Sequence, residues 1–301
     1  MTGLGALIRR NTKLYFKDKG MFFSSLITPV ILLVLYATFL KKVFDDSFRS
    51  ALAQAGATVA DSIINGVVGG QLISSLLAVS CVTVAFCSNL LMIKDKTSGA
   101  RHDLTISPVR PATLALGYYL ASLLSTLIIT VLAAAVCLGY LAGVGWYLTA
   151  GDVLGLLLDV FLLTMFGTAL SSCINFWLST DGQASAVGTI VSAGYGFICG
   201  AYMPISNFGT GLQKVLSFLP GTYGTSLLRN HAMGGAFAEM EKQGFPKEVV
   251  ETIRDSVDCN LYFFDHQVTN GQMYLILVGS IAVLVGIYVA FNWAAARRSR
   301  R

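Results

Sequence analysis

The sequence predicts an all-α integral membrane protein with six transmembrane helices, an N-terminal interfacial helix and a small extracytoplasmic helical segment. Composition is the first reason: 54% of the 301 residues are hydrophobic and only 12% are charged, against about 25% charged in an ordinary soluble domain. Span length is the second, because six stretches reach the roughly 20 apolar residues that a bilayer-crossing helix needs. The third is pattern. Strands of a membrane barrel would alternate apolar and polar residues over about ten positions, and these stretches are continuously apolar. A soluble enzyme is excluded, since so few charges could not cover so much apolar surface.

The six stretches are residues 21–40, 67–93, 112–141, 153–178, 184–203 and 273–293. The second to fourth exceed the minimum and imply tilt or extension beyond the hydrocarbon. Ahead of them, residues 1–20 are amphipathic. Leu4, Leu7, Ile8, Leu14 and Tyr15 fall near one helical face, with Arg9, Arg10, Asn11 and Lys13 largely on another. Such a helix can lie along the membrane interface with its basic groups near anionic head groups. A plain charged leader to the first span is the simpler reading. Residues 41–66 read as a polar loop rich in small residues, and residues 204–272 as the main soluble part. A helix is expected there over residues 246–258, with Pro246 tolerated in its first turn and Lys247, Glu248, Glu251, Arg254 and Asp255 on a solvated face. Residues 294–301 form a basic tail.

Six crossings place both termini on one side. If that side is the cytoplasm, thirteen of the 21 basic residues lie there with only four of the 16 acids, the asymmetry of the positive-inside rule. The N-terminus reads as a span leader rather than a cleavable signal, because its apolar run is too long and lacks a small-residue cleavage site.

Chemistry within the chain finds no support. Five of the six cysteines sit in apolar runs, and there is no C-x-x-C pair, so neither a disulfide framework nor a metal site is expected. Only Cys259 lies in a polar stretch. His102, His231 and His266 are scattered, and no G-x-S-x-G elbow exists, so no catalytic residue is assigned. The basic groups follow the membrane rule, and no nucleic-acid partner is implied.

The most informative segment is residues 94–111. It is dense in charge and interrupted by Gly99 and Pro108, so a short helix between them would present Arg101, His102, Asp103 and Leu104 to a soluble partner. The bland alternative is a basic loop that only fixes topology. Here the sequence resembles the coupling segment of the permease subunits of type-2 ABC exporters. That family carries an acid and a base, then Gly, Leu and Pro, matched here by Asp95, Lys96, Gly99, Leu104 and Pro108. Aspartate stands where glutamate is commoner. Two further stretches agree: Gly167-Thr-Ala-Leu-Ser171 resembles the family's small-residue patch, and Gly200-Ala-Tyr-Met-Pro204 with Leu219-Pro220 and Tyr223 resembles its fifth-span exit and outer re-entrant helices. The outer segment is longer than in the smallest members.

The resemblance implies a permease that pairs as a dimer in the inner (cytoplasmic) membrane. Each copy would be bound to an ATP-binding ABC ATPase subunit that holds ATP and Mg, while this chain binds no cofactor. The chain has no G-x-x-x-x-G-K-[ST] loop, which agrees with that division of labour. Coupling would fall to Asp95, Lys96, Gly99, Arg101, His102, Asp103, Leu104 and Pro108. A substrate path between copies would be lined by parts of the first, second and fifth spans. Ser74, Ser75, Ser80, Thr83 and Ser88 are candidate lining residues, unless their hydroxyls bond within their own helix. Ser192, Gly196 and Gly200 recur every four residues and allow close helix approach, either between copies or within one chain. Asp159 is the one acid well inside a span, and an intramembrane carboxylate is a functional candidate by default. It could protonate, bind a cation, pair with another span or reach outer water. A gradient-driven transporter or channel working through Asp159, and a membrane-embedded assembly factor working through residues 204–272, stand as rivals.

Overall fold

The computed structural model describes residues 2–54, 59–106, 109–264 and 266–298. Helix α1 (Thr2–Lys17) is followed without a loop by α2 (Lys19–Leu35), whose N-terminus is capped by the Asp18 carboxylate accepting from the Met21 N–H at 3.1 Å. Pro29 lies inside α2, and a π-helical turn spans Tyr36–Leu40 before α3 (Lys41–Gln54). Proline and π-turns both perturb the i→i−4 ladder. The helix nevertheless continues well past Leu40, so the loop expected over residues 41–66 is shorter than read. The polar residues of α3 are compatible with helix, and apolarity alone marked the end of the span. Residues 55–58 of that expected loop lie outside the described residues.

Helix α4 (Asp61–Ser88) breaks at Asn89 into α5 (Leu90–Thr97), which Gly99 separates from α6 (Ala100–Ile106). Helix α7 (Pro111–Val144) starts with proline at its first position, where a missing N–H costs nothing. Helix α8 (Ala150–Trp177) opens on a capping box: the Asp152 N–H donates to Thr149 Oγ1 at 3.2 Å and the Thr149 N–H to Asp152 Oδ2 at 2.8 Å. Helix α9 (Asp181–Ile198) follows, then α10 (Thr210–Leu216), α11 (Pro220–Lys242) and α12 (Lys247–Ser256). A two-stranded antiparallel hairpin, β1 (Leu261–Phe263) and β2 (His266–Val268), leads into α13 (Asn270–Arg298). Among the described residues, the regular structure apart from these two short strands is helical, as expected.

Helix α4 is the centre of the bundle. Its apolar length is almost wholly buried, while α7 and α13 expose most of theirs. Helices α7, α8 and α11 pack around it. The Gly167 patch has a plain role here. A Cβ at Gly167 would come within 2.9 Å of the Cys81 carbonyl, so glycine lets α8 lie against the α4 backbone. Four residues on, the hydroxyls of Ser171 and Ser172 accept from the Asn89 amide at 3.1 and 2.8 Å.

Among the described residues, five helices are long and apolar enough to cross a membrane: residues 19–50, 61–97, 111–144, 150–177 and 270–297. The stretch expected as the fifth span is α9, whose 18 residues begin on Asp181, Gly182 and Gln183. At 1.5 Å per residue it is about 27 Å long. A second departure concerns residues 204–272, read as the main soluble part. Helix α11 lies buried against α4, α8 and α13, because its small residues make it slim enough to fill the bundle. Cys259 is buried as well.

Candidate functional site

Two polar constellations stand out, one at each end of the bundle. The first gathers around α5 and α6. Helix α1 buries Leu7, Asn11 and Tyr15, spaced four apart, and packs on α7. Asn11 therefore sits on the inner face rather than with the basic residues, and Leu14 is exposed. Arg10 reaches across to form a bidentate pair with Asp95, at 2.6 and 3.1 Å, and Tyr118 of α7 donates to the same carboxylate at 2.6 Å. Asp95 is buried, and it holds the Arg10 guanidinium above its ordinary pKa. Lys94 pairs with Asp18, whose carboxyl is held below the usual range by that hydrogen bond and by the Met21 N–H.

Lys96 turns the other way. Its ammonium donates to the carbonyls of Asn175 at 3.2 Å, Phe176 at 2.5 Å and Leu178 at 2.6 Å. These carbonyls lie at the C-terminal end of α8, where that of Asn175 also accepts from the Leu178 N–H at 3.2 Å, and a cation is favoured there by the helix dipole. Arg101 donates to Asn292 of α13 at 3.2 Å and lies 5.6 Å over the Phe176 ring, which itself stacks on Phe291. Gly99 makes the turn between α5 and α6 with φ +83°, a left-handed conformation that favours glycine. Helix α6 then exposes His102, Asp103, Thr105 and Ile106, with Leu104 half-buried. Residues 94–106 thus have an inner side bonded to α1, α7, α8 and α13 and an outer side free of the bundle. Pro108 lies outside the described residues.

The second constellation joins α8, α11 and α13. Asp159 is fully buried, and its two oxygens accept from His231 Nδ1 and the Tyr274 hydroxyl, both at 2.6 Å. It pairs between helices and does not reach water, since α11 covers it. One turn before it, Gly155 leaves room for the imidazole, whose ring atoms lie 2.5 Å from where a Cβ would be. Beyond this cluster, Arg229 forms a buried ion pair with Asp258 at 3.0 Å and donates to the Gly200 carbonyl at 2.6 Å. Asp258 also accepts from the N–H groups of Ile205 at 2.5 Å and Ser206 at 3.2 Å. Neither His231 nor the Arg229–Asp258 pair was singled out from the sequence. A lone arginine within the slim segment 220–237 was the available signal.

Ser74, Ser75, Ser80, Thr83 and Ser88 of α4 are all buried inside the bundle. Ser74 and Thr83 donate to carbonyls of their own helix, at 3.0 Å each. Ser88 also meets the hydroxyls of Ser122 and Thr126, at 2.8 and 2.7 Å. Ser75 and Ser80 are equally enclosed. The large open groove lies elsewhere, between α2 and α9. Its volume is about 780 Å³, and its walls include Ser24, Thr28, Ile31, Thr189 and Ser192. Gly196 and Gly200 do not line it. At Gly196 the Tyr202 ring lies 2.3 Å from a Cβ position, and at Gly200, with φ +75°, Ile205 and Asp258 close in.

A bundle of long apolar helices without a nucleotide-binding loop in its sequence defines a multi-pass membrane permease domain with no ATPase site of its own. The chain belongs to the ABC-2 family transporter proteins, whose family pattern matches residues 54–297. No curated protein matches the chain.

Proposed function

We propose that the chain is the permease half of an ATP-driven exporter. On this reading two copies pair, each bound by a separate ATPase subunit on the cytoplasmic side, and together they move an amphiphilic or lipid-linked substrate outward. The carrying observation is the two-sidedness of residues 94–106. Their outer side exposes His102, Asp103 and Ile106, which suits docking to the ATPase. Their inner side is bonded to four other helices through Asp95, Lys96 and Arg101. A push on α6 is therefore delivered to the bundle as a rigid-body displacement. The groove between α2 and α9 is the natural half of a substrate path. It has an apolar wall with a few hydroxyls, and a second copy would close it.

Orientation follows the same reading. Arg10–Asp95 and Arg101–Asn292 hold the first helix and the last turns of α13 at the end that carries α5 and α6. A chain that starts and finishes at one end crosses an even number of times, which supports α9 as the sixth crossing. The excess of basic residues at that end supports placing it in the cytoplasm.

The test is reconstitution with the candidate ATPase subunit. The exposed-face variant Asp103→Arg, Ile106→Asp is expected to lower substrate-stimulated ATP hydrolysis about tenfold, the effect of some 1.4 kcal/mol at the contact, with complex formation lost in step. Lys96→Gln is expected to keep the complex and lose the stimulation, because it severs the inner side only. Hydrolysis indifferent to both variants would remove the coupling assignment.

A further inference from the structure

We infer that the groove between α1 and α7 is a binding site for an anionic phospholipid, with the phosphate on Arg9 and Lys13 and the acyl chain on α7. The groove holds about 520 Å³ and is lined by Gly5, Ile8, Arg9, Thr12, Lys13, Phe16 and Leu124. Its chemistry divides by height. Arg9 and Lys13 stand one turn apart on the exposed face of α1, where residues four apart are neighbours. Neither takes part in an ion pair among the described residues. Of the neighbouring charges, Arg10 is committed to Asp95 and Lys94 to Asp18, while Lys17, one turn beyond Lys13, extends the exposed basic face. Thr12 flanks these cations on the same helix, and its hydroxyl oxygen is buried without a hydrogen-bond partner within the described structure. Two exposed cations one turn apart and free of ion pairs suit a phosphodiester.

Below this rim the wall is apolar. Leu124 is exposed, and the exposed face of α7 continues through Ile128, Val131, Leu132 and Val136. That column lies on a membrane-crossing helix, so it faces hydrocarbon, and a chain attached to a phosphate at Arg9 would lie along it. A free phosphate would use only the rim. A zwitterionic lipid would use the column but bring an ammonium against the two cations. The combination selects a lipid with net negative charge. Its consequence is regulatory, because Arg10 on the same helix is bonded to Asp95 at the base of α5. An occupied groove would hold α1, and through it the segment 94–106, in the arrangement described above.

The site requires the membrane placement of α1 but not the ATPase partner. Its test therefore uses the full-length chain alone in detergent, and its failure leaves the exporter reading standing. Binding of phosphatidylglycerol, phosphatidylcholine and glycerol phosphate would be followed by native mass spectrometry. The expected result is preferential retention of phosphatidylglycerol over the other two. Arg9→Gln with Lys13→Gln is expected to weaken that retention about thirtyfold, on the order of what two surface cations contribute toward an anionic lipid. The control pair Lys41→Gln with Lys42→Gln removes the same charge from α3 and should leave retention unchanged. Both pairs are exposed or half-buried, and a thermal melt of each variant reports that the fold survives. Equal retention of phosphatidylcholine, equal binding of glycerol phosphate, or equal losses in both variants would overturn the proposal.

Discussion

Asp258→Ala is expected to destabilise the protein by about 3–5 kcal/mol, the usual cost of removing one partner from a buried ion pair. The Arg229 side chain is 1% exposed, and without Asp258 its charge has only the Gly200 carbonyl to answer it. The same change strips the acceptor from the Ile205 and Ser206 N–H groups, and buried donors without partners add their own cost. Backbone geometry contributes too. Asp258 has φ +52°, which aspartate and asparagine adopt more readily than alanine. Asp258→Asn should therefore fall between the native protein and Asp258→Ala. It keeps the conformation and one acceptor oxygen but loses the charge. Arg229→Met combined with Asp258→Asn should be milder than Asp258→Ala, since no buried charge is left alone. Thermal unfolding of the full chain in nanodiscs measures all four. Cys259, buried beside the pair, should become reactive to a maleimide in the single variant first. An unchanged melting temperature in Asp258→Ala would show that the pair does not anchor this end of the bundle.

The consequence reaches the bundle's interior because Arg229 belongs to α11, which packs against the central helix. The arginine ties the exit of α9, at Gly200, to the turn after α12, at Asp258. In a site with so little water, charged hydrogen bonds of this kind are among the few interactions that give a unique arrangement to segments without strong hydrophobic patterning. The segment 199–209 has no long helix and little apolar periodicity, yet its chain path is held by three donors on one carboxylate.

What could be read from the sequence follows the same division. Long apolar runs were legible because crossing hydrocarbon needs a fixed length of apolar chain, and α4, α7, α8 and α13 coincide with them. The short helix α6 was legible from its breakers, Gly99 on one side and Pro108 on the other. The continuation of the first span into α3 was not, since an amphipathic helix and a polar loop can share a composition. Asn11 was not legible, because polarity does not entail exposure: it is buried on the inner side of α1, where its side-chain oxygen accepts from Arg10 at 2.8 Å. The roles of Asp95 and Lys96 were only half visible. The acid–base pair marked the segment, but nothing local reveals that one residue points to α1 and α7 while the next points to the end of α8. His231 is the clearest case. It is separated from Asp159 by 72 residues, and no spacing rule links them. The sequence carried only the requirement that an intramembrane carboxylate have a partner.

That partnership sets the expected behaviour of Asp159. Asp159→Ala should cost about 3 kcal/mol, the lower end of the range for breaking a buried charged contact, because His231 is 22% exposed and can recover some hydration. Tyr274 and His231 would both lose their acceptor, loosening α13 and α11 from α8 together. Asp159→Asn retains one acceptor oxygen and should lose less, and His231→Gln least. The more informative measurement is made on the fraction that folds. If Asp159 is a joint between helices, folded Asp159→Asn protein in vesicles should export its substrate with ATP at close to the native rate per molecule, and an imposed ion gradient without ATP should drive nothing. A carboxylate that carried the coupling ion would behave in the opposite way: a well-folded Asp159→Asn protein would be inert, and the native chain alone would transport under a gradient. Both oxygens of Asp159 are already engaged by donors on two other helices, so an incoming cation would have to displace one of them. That is the physical reason to expect the joint.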